Sequence, residues 1–520
     1  MSTRHGFRRQ VVGFAITGAA LVLAGCGQAG SGDDPPSSLA PAAASVYVEA
    51  TVDPAGDQET ALRALYAKFP GGAEAEPGAF ISNLIETGLQ QSGAPIDFAA
   101  DIEPWLGERA GVFLTNVAAE EPDGALVLST DDAEAAATGL EKVIPGGSER
   151  TYEGAEYRLA PPQAGPPVAV GLVDGFVVVG TEAGLKAAVD AEDASLADSD
   201  RYTQPFEELP ADGLVSLFAD VRSLVEASLA EQGLPPAAQN DALAQLDDQP
   251  PLAAVLSADT GGLVLDGPSV AATGGELAPV SSPELLGSLP SNSLIAVGAP
   301  EIGMTINEAV SESVASSGLD IETLGSIVES QVGFNPFEAT AWMGDLAIFA
   351  GGTTIDSADG ALVIETTDPE ASATTIRQLE ELIRKEIGGE ARIGAPPIDG
   401  DAGFSVSDPE LPKALVLVQR DAKVVIAYGE TAAKRALEPQ SVLSDDAAYK
   451  SAVASLGTDY APTTYVAIRP LFEALGELIP SGSDPAAVIA TSYIEPLLNL
   501  ISGNRPIDDQ ALSRTRLNVE

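Results

Sequence analysis

One cysteine and one histidine occur in this chain of 520 residues, Cys26 and His5. Beyond Cys26 there is therefore no side chain for Ser-His-Asp or Cys-His nucleophilic catalysis, for a zinc site built on nitrogen or sulfur, or for an internal disulfide. Carboxylates are the abundant reactive groups: 77 Asp and Glu stand against 26 Lys and Arg, a net charge of −51. A surface of that sign repels phosphate backbones, so nucleic acid is not an expected partner. No Gly-x-x-x-x-Gly-Lys-[Ser/Thr] loop occurs and no lysine follows a serine by three residues, so nucleotide hydrolysis and Ser-Lys acyl transfer lack their usual marks. Asp399-Gly400-Asp401 and the group Asp190, Glu192, Asp193, Asp198 and Asp200 offer oxygens to calcium. Neither has EF-hand spacing, and acidic runs in such a chain are usually solvated. No catalytic residue, metal site or cofactor is expected, and among so many acids nothing selects a glycosidase-like pair.

The N-terminus carries the most specific chemistry. Arg4, Arg8 and Arg9 precede an apolar run from Val11 to Ala24, which closes on Leu23-Ala24-Gly25-Cys26. The run is shorter than the roughly 20 residues that cross a bilayer, so residues 1–25 read as a signal peptide. Leu-Ala-Gly-Cys resembles the bacterial lipobox, whose cysteine receives a diacylglycerol thioether and becomes the new N-terminus. Cys26 is thus the expected lipidation site, holding the protein on the extracytoplasmic face of the cell membrane. Arg8-Arg9 also fits a loose twin-arginine export signal. Residues 26–38, rich in Gly, Ser, Asp and Pro, are expected to form a flexible tether.

Behind the tether the chain repeats itself. Trp105-Leu106-Gly107 and Ala110 to Phe113 return as Trp342-Met343-Gly344 and Ala347 to Phe349. Gly124-Ala125-Leu126-Val127-Leu128 returns as Gly360-Ala361-Leu362-Val363-Ile364, and Glu182 with Lys186 as Glu430 with Lys434. Such ordered matches predict two homologous halves, 39–275 and 285–520, joined by a Pro/Ser/Gly-rich stretch from Gly274 to Ser291. Each tryptophan, a ring able to stack on a sugar or an apolar ligand, precedes a glycine and a strand, where a large ring closes the end of a core. Glu182 with Lys186, and Glu430 with Lys434, have the i,i+4 spacing of helix-stabilising pairs.

The elements that would position these residues alternate between strand pairs and helices. In the first half, strands are predicted at 45–52, 109–116, 124–129, 167–173, 176–179, 214–221, 253–258 and 262–266. Helices are predicted at 59–69, 79–90, 132–143, 181–191 and 222–229, with Asp174-Gly175 as a two-residue hairpin turn. The second half repeats the order, with its own hairpin at 413–419 and 424–428. This pattern predicts an α+β fold: in each half an antiparallel or mixed sheet with helices packed on one face.

Cys26, the entry Leu39 to Val48, Asp53-Pro54 with Gln58, and Trp105-Leu106-Gly107 together resemble the bacterial lipoprotein family of domain of unknown function 3352. The resemblance implies placement and architecture and brings no activity. The expected protein is a non-catalytic binding or scaffolding lipoprotein of the cell envelope, attached to the membrane through acylated Cys26. The alternatives are a carrier of a lipid or other apolar ligand, and a carboxylate-dependent hydrolase of envelope polymers. Any ligand is expected at the junction of the halves.

Overall fold

The computed structural model describes residues 34–72, 97–117, 122–143, 147–161, 167–231, 235–244, 246, 249–269, 283–316, 321–332, 334–352, 354, 357–386, 391–476, 492–507 and 510–520. His5, the expected signal peptide, Cys26 and the helix expected at 79–90 lie outside the described residues. The chain divides into two compact units, Met1–Pro268 and Ser269–Glu520.

The first unit runs β1 (Val46–Thr51), α1 (Gly56–Tyr66), α2 (Phe98–Asp101), β2 (Leu106–Leu114), β3 (Gly124–Thr130), α3 (Ala133–Val143), β4 (Ser148–Tyr152), β5 (Ala155–Leu159), β6 (Val168–Val173), β7 (Phe176–Thr181) and α4 (Glu182–Asp190). It closes with α5 (Asp200–Phe206), β8 (Val215–Ala219), α6 (Val221–Glu231), α7 (Pro236–Ala244), β9 (Leu252–Asp259) and β10 (Gly262–Pro268). The strands lie side by side in the order β4-β5-β6-β7-β3-β2-β1-β8-β9-β10, each described pair antiparallel. The Asp174-Gly175 hairpin forms as expected, with φ of 45° and 84° at its two turn residues.

Helices cover both faces of this sheet, where the sequence pattern predicted one. The reason is visible in Phe176-Val177-Val178-Val179, which is apolar at consecutive positions and so has no face to give to water. Phe176 and Val178 pack with Tyr47, Phe113, Phe218 and, from α4, Leu185 and Ala188. Val177 faces the other way, onto Trp105, Phe98 and Ile102 with Ala136 and Leu140 of α3.

The second unit runs α8 (Pro283–Gly287), β11 (Ser293–Ala299), α9 (Ile302–Ser316), α10 (Ile321–Val332), α11 (Pro336–Thr340), β12 (Met343–Gly351), β13 (Asp359–Thr366), α12 (Pro369–Glu386), β14 (Arg392–Gly394), β15 (Ala402–Ser407), β16 (Leu415–Arg420) and β17 (Lys423–Tyr428). Then come α13 (Glu430–Leu437), α14 (Ala447–Leu456), β18 (Ala461–Val466), α15 (Ile468–Gly476), β19 (Leu497–Ile507) and β20 (Gln510–Val519). Its order, β14-β15-β16-β17-β13-β12-β11-β18-β19-β20, is that of the first unit strand for strand, again antiparallel. On one face Leu285, Leu286, Ala432, Ala433 and Leu456 cover Phe349, Val363 and Val425. On the other, α12 places Ile376, Leu379 and Ile383 at helical spacing over Trp342, Ile364, Leu417 and Val424.

Small features coincide as well. The strand after each tryptophan shifts register, between Leu106 and Ala110 and between Met343 and Leu346. Asp132 Oδ1 accepts the amides of Glu134 and Ala135 at 3.1 and 2.9 Å, and Asp368 Oδ1 those of Glu370 and Ala371 at 3.0 Å each, capping α3 and α12.

Every described strand pair within a unit is antiparallel, the first of the two forms expected. Two expectations need correction. The flexible tether expected over 26–38 does not extend through its last residues: Pro36–Ser38 form a 3-10 turn with Pro36 and Ser37 buried, and Ser37 supplies hydrogen bonds to Glu49 and Tyr47. The stretch from Gly274 to Ser291 is not all connector, since Leu285, Leu286 and Leu289 are buried in the second core. The β4–β5 hairpin, turning at Glu153-Gly154, was not legible because β4 is almost wholly exposed and polar.

Candidate functional site

The residues singled out by type are mostly engaged in holding the fold. Trp105 and Trp342 are 3% and 4% exposed, each at the end of the core below its sheet. The Trp105 indole N–H donates to the Asp101 carbonyl at 2.6 Å and that of Trp342 to Thr375 Oγ1 at 3.3 Å, so neither ring is offered to a ligand. Lys186 donates to Glu182 Oε1 at 2.8 Å, and Lys434 to Glu430 Oε1. Tyr157 adds a hydrogen bond to Glu182 at 2.8 Å, and Lys186 and Tyr157 together hold that carboxyl below the usual range.

The acidic runs are likewise in use. Asp190 accepts the Tyr152 hydroxyl at 3.1 Å, Asp198 that of Ser195 at 2.7 Å, and Asp401 the Asp421 amide at 2.9 Å. Among the described residues no group of three or more His, Cys, Asp or Glu side chains is placed to hold a metal ion.

Two constellations were not singled out by the sequence. The first is a buried polar cluster on β1 and β2. Tyr47, wholly buried, donates to Glu49 Oε2 at 2.5 Å, and Arg109 Nη1 lies 3.6 Å from Glu49 Oε1. Burial raises the Glu49 pKa, while Tyr47, Arg109 and the Ser37 backbone N–H pull it back. Tyr47 itself is pushed well up by burial and by the carboxylate beside it. Gly111, opposite Glu49, leaves the room: a Cβ there would stand 2.8 Å from the Tyr47 hydroxyl. The register match puts Gly298 and Ala347 at the corresponding pair of the second unit, so the cluster belongs to the first unit alone. The sequence signal was a lone Glu on an otherwise buried strand face.

The second is an open pocket of about 430 Å³ in the second unit, between α9 and the start of β12. Glu301, Met304, Asn307 and Glu308 come from α9 and the residue before it, and Met343 and Thr367 from the sheet side. Met304 and Met343 are the only methionines besides Met1. Glu301 enters α9 with φ 43°, a left-handed conformation fixed by its amide donating to Asp345 Oδ1 at 3.1 Å. Gly303 lets α9 sit close: a Cβ there would be 2.4 Å from the Thr340 carbonyl. Among the described residues the lining holds two carboxylates and two thioethers and neither Lys nor Arg. It can accept hydrogen bonds and make apolar contact, and the Ser311 hydroxyl donates to the Asn307 carbonyl at 2.6 Å. Met343 follows Trp342 directly but Met304 lies 39 positions earlier, so the sequence carried no signal for their meeting.

The family described as protein of unknown function DUF3352 matches residues 10–480, and the chain belongs to it. No curated protein matches the sequence. Among solved structures, crystal form IV of TP0453 is similar at 12% identity and a TM-score of 0.25, covering 46% of this chain and 81% of that one. Crystal form I of TP0453 is similar at 8% identity and a TM-score of 0.16, covering 77% and 93%.

Proposed function

We propose that the protein is an extracytoplasmic lipoprotein, anchored to the cell membrane through acylated Cys26, and that its two units form a non-catalytic binding or scaffolding module. The observation that carries this is Leu23-Ala24-Gly25-Cys26 directly behind an Arg-led apolar run. No helix among the described residues is long and apolar enough to cross a membrane, and attachment through Cys26 does not require one. The non-catalytic part draws support from the engagement of the candidate tryptophans, lysines and acids in packing, caps and ion pairs. An open, acidic pocket also suits a docking surface better than the enclosed apolar cavity a lipid carrier needs.

The test is Cys26→Ser in the native host, read by membrane fractionation and metabolic labelling with a fatty acid. Loss of label together with release from the membrane, or accumulation of unprocessed precursor, is expected. Unchanged labelling and attachment would overturn the assignment. We also infer that the units arose by duplication, a reading supported by their identical strand order and the motif matches between them.

A further inference from the structure

We propose that the pocket beside α9 is a docking site for a basic, amphipathic polypeptide segment, one of whose Lys or Arg side chains enters it. This rests on the binding-module reading and names its partner class. The first argument is charge: among the described residues Glu301 and Glu308 line the pocket and no cation does, so a bound cation is the natural complement. At physiological salt, charges beyond about 8 Å are largely screened, so these lining carboxylates, and not the total of −51, set local selectivity.

The second argument is the soft lining. Met304, 49% exposed, and Met343 can follow an aliphatic stem of either cationic side chain, as flexible thioethers do at adaptable binding surfaces. The third is the sheet face that carries Met343. Beyond Leu346, β12 presents Ile348, which pairs with Val297 on β11 and Leu362 on β13; Leu362 in turn pairs with Ile426 on β17. Direct partners share a face, and Val297, Ile348 and Ile426 are 37%, 41% and 41% exposed. An apolar row therefore runs across the same strands on the sheet face where Met343 packs beside Trp342. A lone amine would leave that row uncovered; a segment alternating basic and apolar side chains covers it. An anionic lipid surface is disfavoured by the same carboxylates.

The experiment is calorimetric titration of the full-length chain in mild detergent at physiological salt. The probes are a peptide alternating Lys and Leu, the same peptide with Glu for Lys, and butylamine. Saturable binding of the first alone is expected, weakened about tenfold by Glu308→Gln and reduced by Met304→Gln. Exposed Glu156, on β5 of the first unit, serves as control, since Glu156→Gln changes net charge equally and is expected to leave affinity unchanged. Equal weakening by Glu156→Gln and Glu308→Gln would reduce the effect to bulk charge and overturn the site. Butylamine binding as tightly as the peptide, or no peptide binding, would overturn the polypeptide assignment while leaving the Cys26 anchor untouched. Circular dichroism of each variant confirms that a loss of binding is not a loss of fold.

Discussion

Tyr47→Phe removes one buried hydroxyl and nothing else, and its cost can be worked from the cluster it leaves. The lost bond is to a carboxylate at 2.5 Å, and a charge-assisted hydrogen bond contributes about 1.5–3 kcal/mol. Glu49 would keep Arg109 and the Ser37 amide, with burial still raising its pKa and one lowering partner gone. The sign follows from linkage. A carboxyl whose folded pKa is raised contributes stability that is fully present below its unfolded value of about 4.3 and is lost as pH rises through the folded value. Tyr47→Phe raises the folded value further, so the penalty grows with pH and is larger at pH near 7.5 than at pH near 4. It shrinks toward the roughly 1 kcal/mol of a neutral hydrogen bond at pH near 4. Each unit holds one tryptophan, so urea unfolding followed by Trp105 emission in a Trp342→Phe background reports the first unit. A loss under about 0.5 kcal/mol, or one that is equal at both pH values, would refute the assignment of a charged, hydrogen-bonded Glu49.

Phe349→Ala, at a position 1% exposed, should destabilise the second unit by about 3–5 kcal/mol, read by Trp342 emission in a Trp105→Phe background. Gly184→Ala would place a Cβ 2.1 Å from the Gly124 carbonyl oxygen and force α4 off its sheet, at about 1–3 kcal/mol in a chemical melt. Gly394→Ala, whose nearest neighbour would be 3.4 Å away, should cost under about 0.5 kcal/mol in the same melt. Burial pushes Tyr449 and Tyr465 up to about 12. Unfolded tyrosines ionise near 10, so the stability these two contribute is complete below that pH and is lost as pH rises toward 12; absorbance titration alongside urea midpoints at pH near 9 and 11 checks it.

Much of the architecture was legible in the sequence, for a physical reason: strands and hairpins are encoded locally. Asp174-Gly175 can adopt the positive φ that a tight hairpin needs, and Asp132 can cap a helix whoever its neighbours are. The internal matches likewise required no coordinates, because like sequences bury like faces. The lipobox proposed at Leu23 to Cys26 is a pattern of consecutive residues, so the proposal for Cys26 rests on sequence alone.

What tertiary structure decided is burial and convergence. The pattern of Phe176 to Val179 is equally consistent with a fully buried strand and an apolar helix turn; only the helices on both faces explain it. Glu49 reads as one acid among 77 until β1 lies between β2 and β8 and places it beside Tyr47 and Arg109. Met304 and Met343 are 39 positions apart, and their joint pocket exists only because Gly303 lets α9 approach the strand that Trp342 anchors. A long-range meeting of side chains is a property of packing, which no single stretch of chain encodes, and that is why both constellations emerged only with the fold.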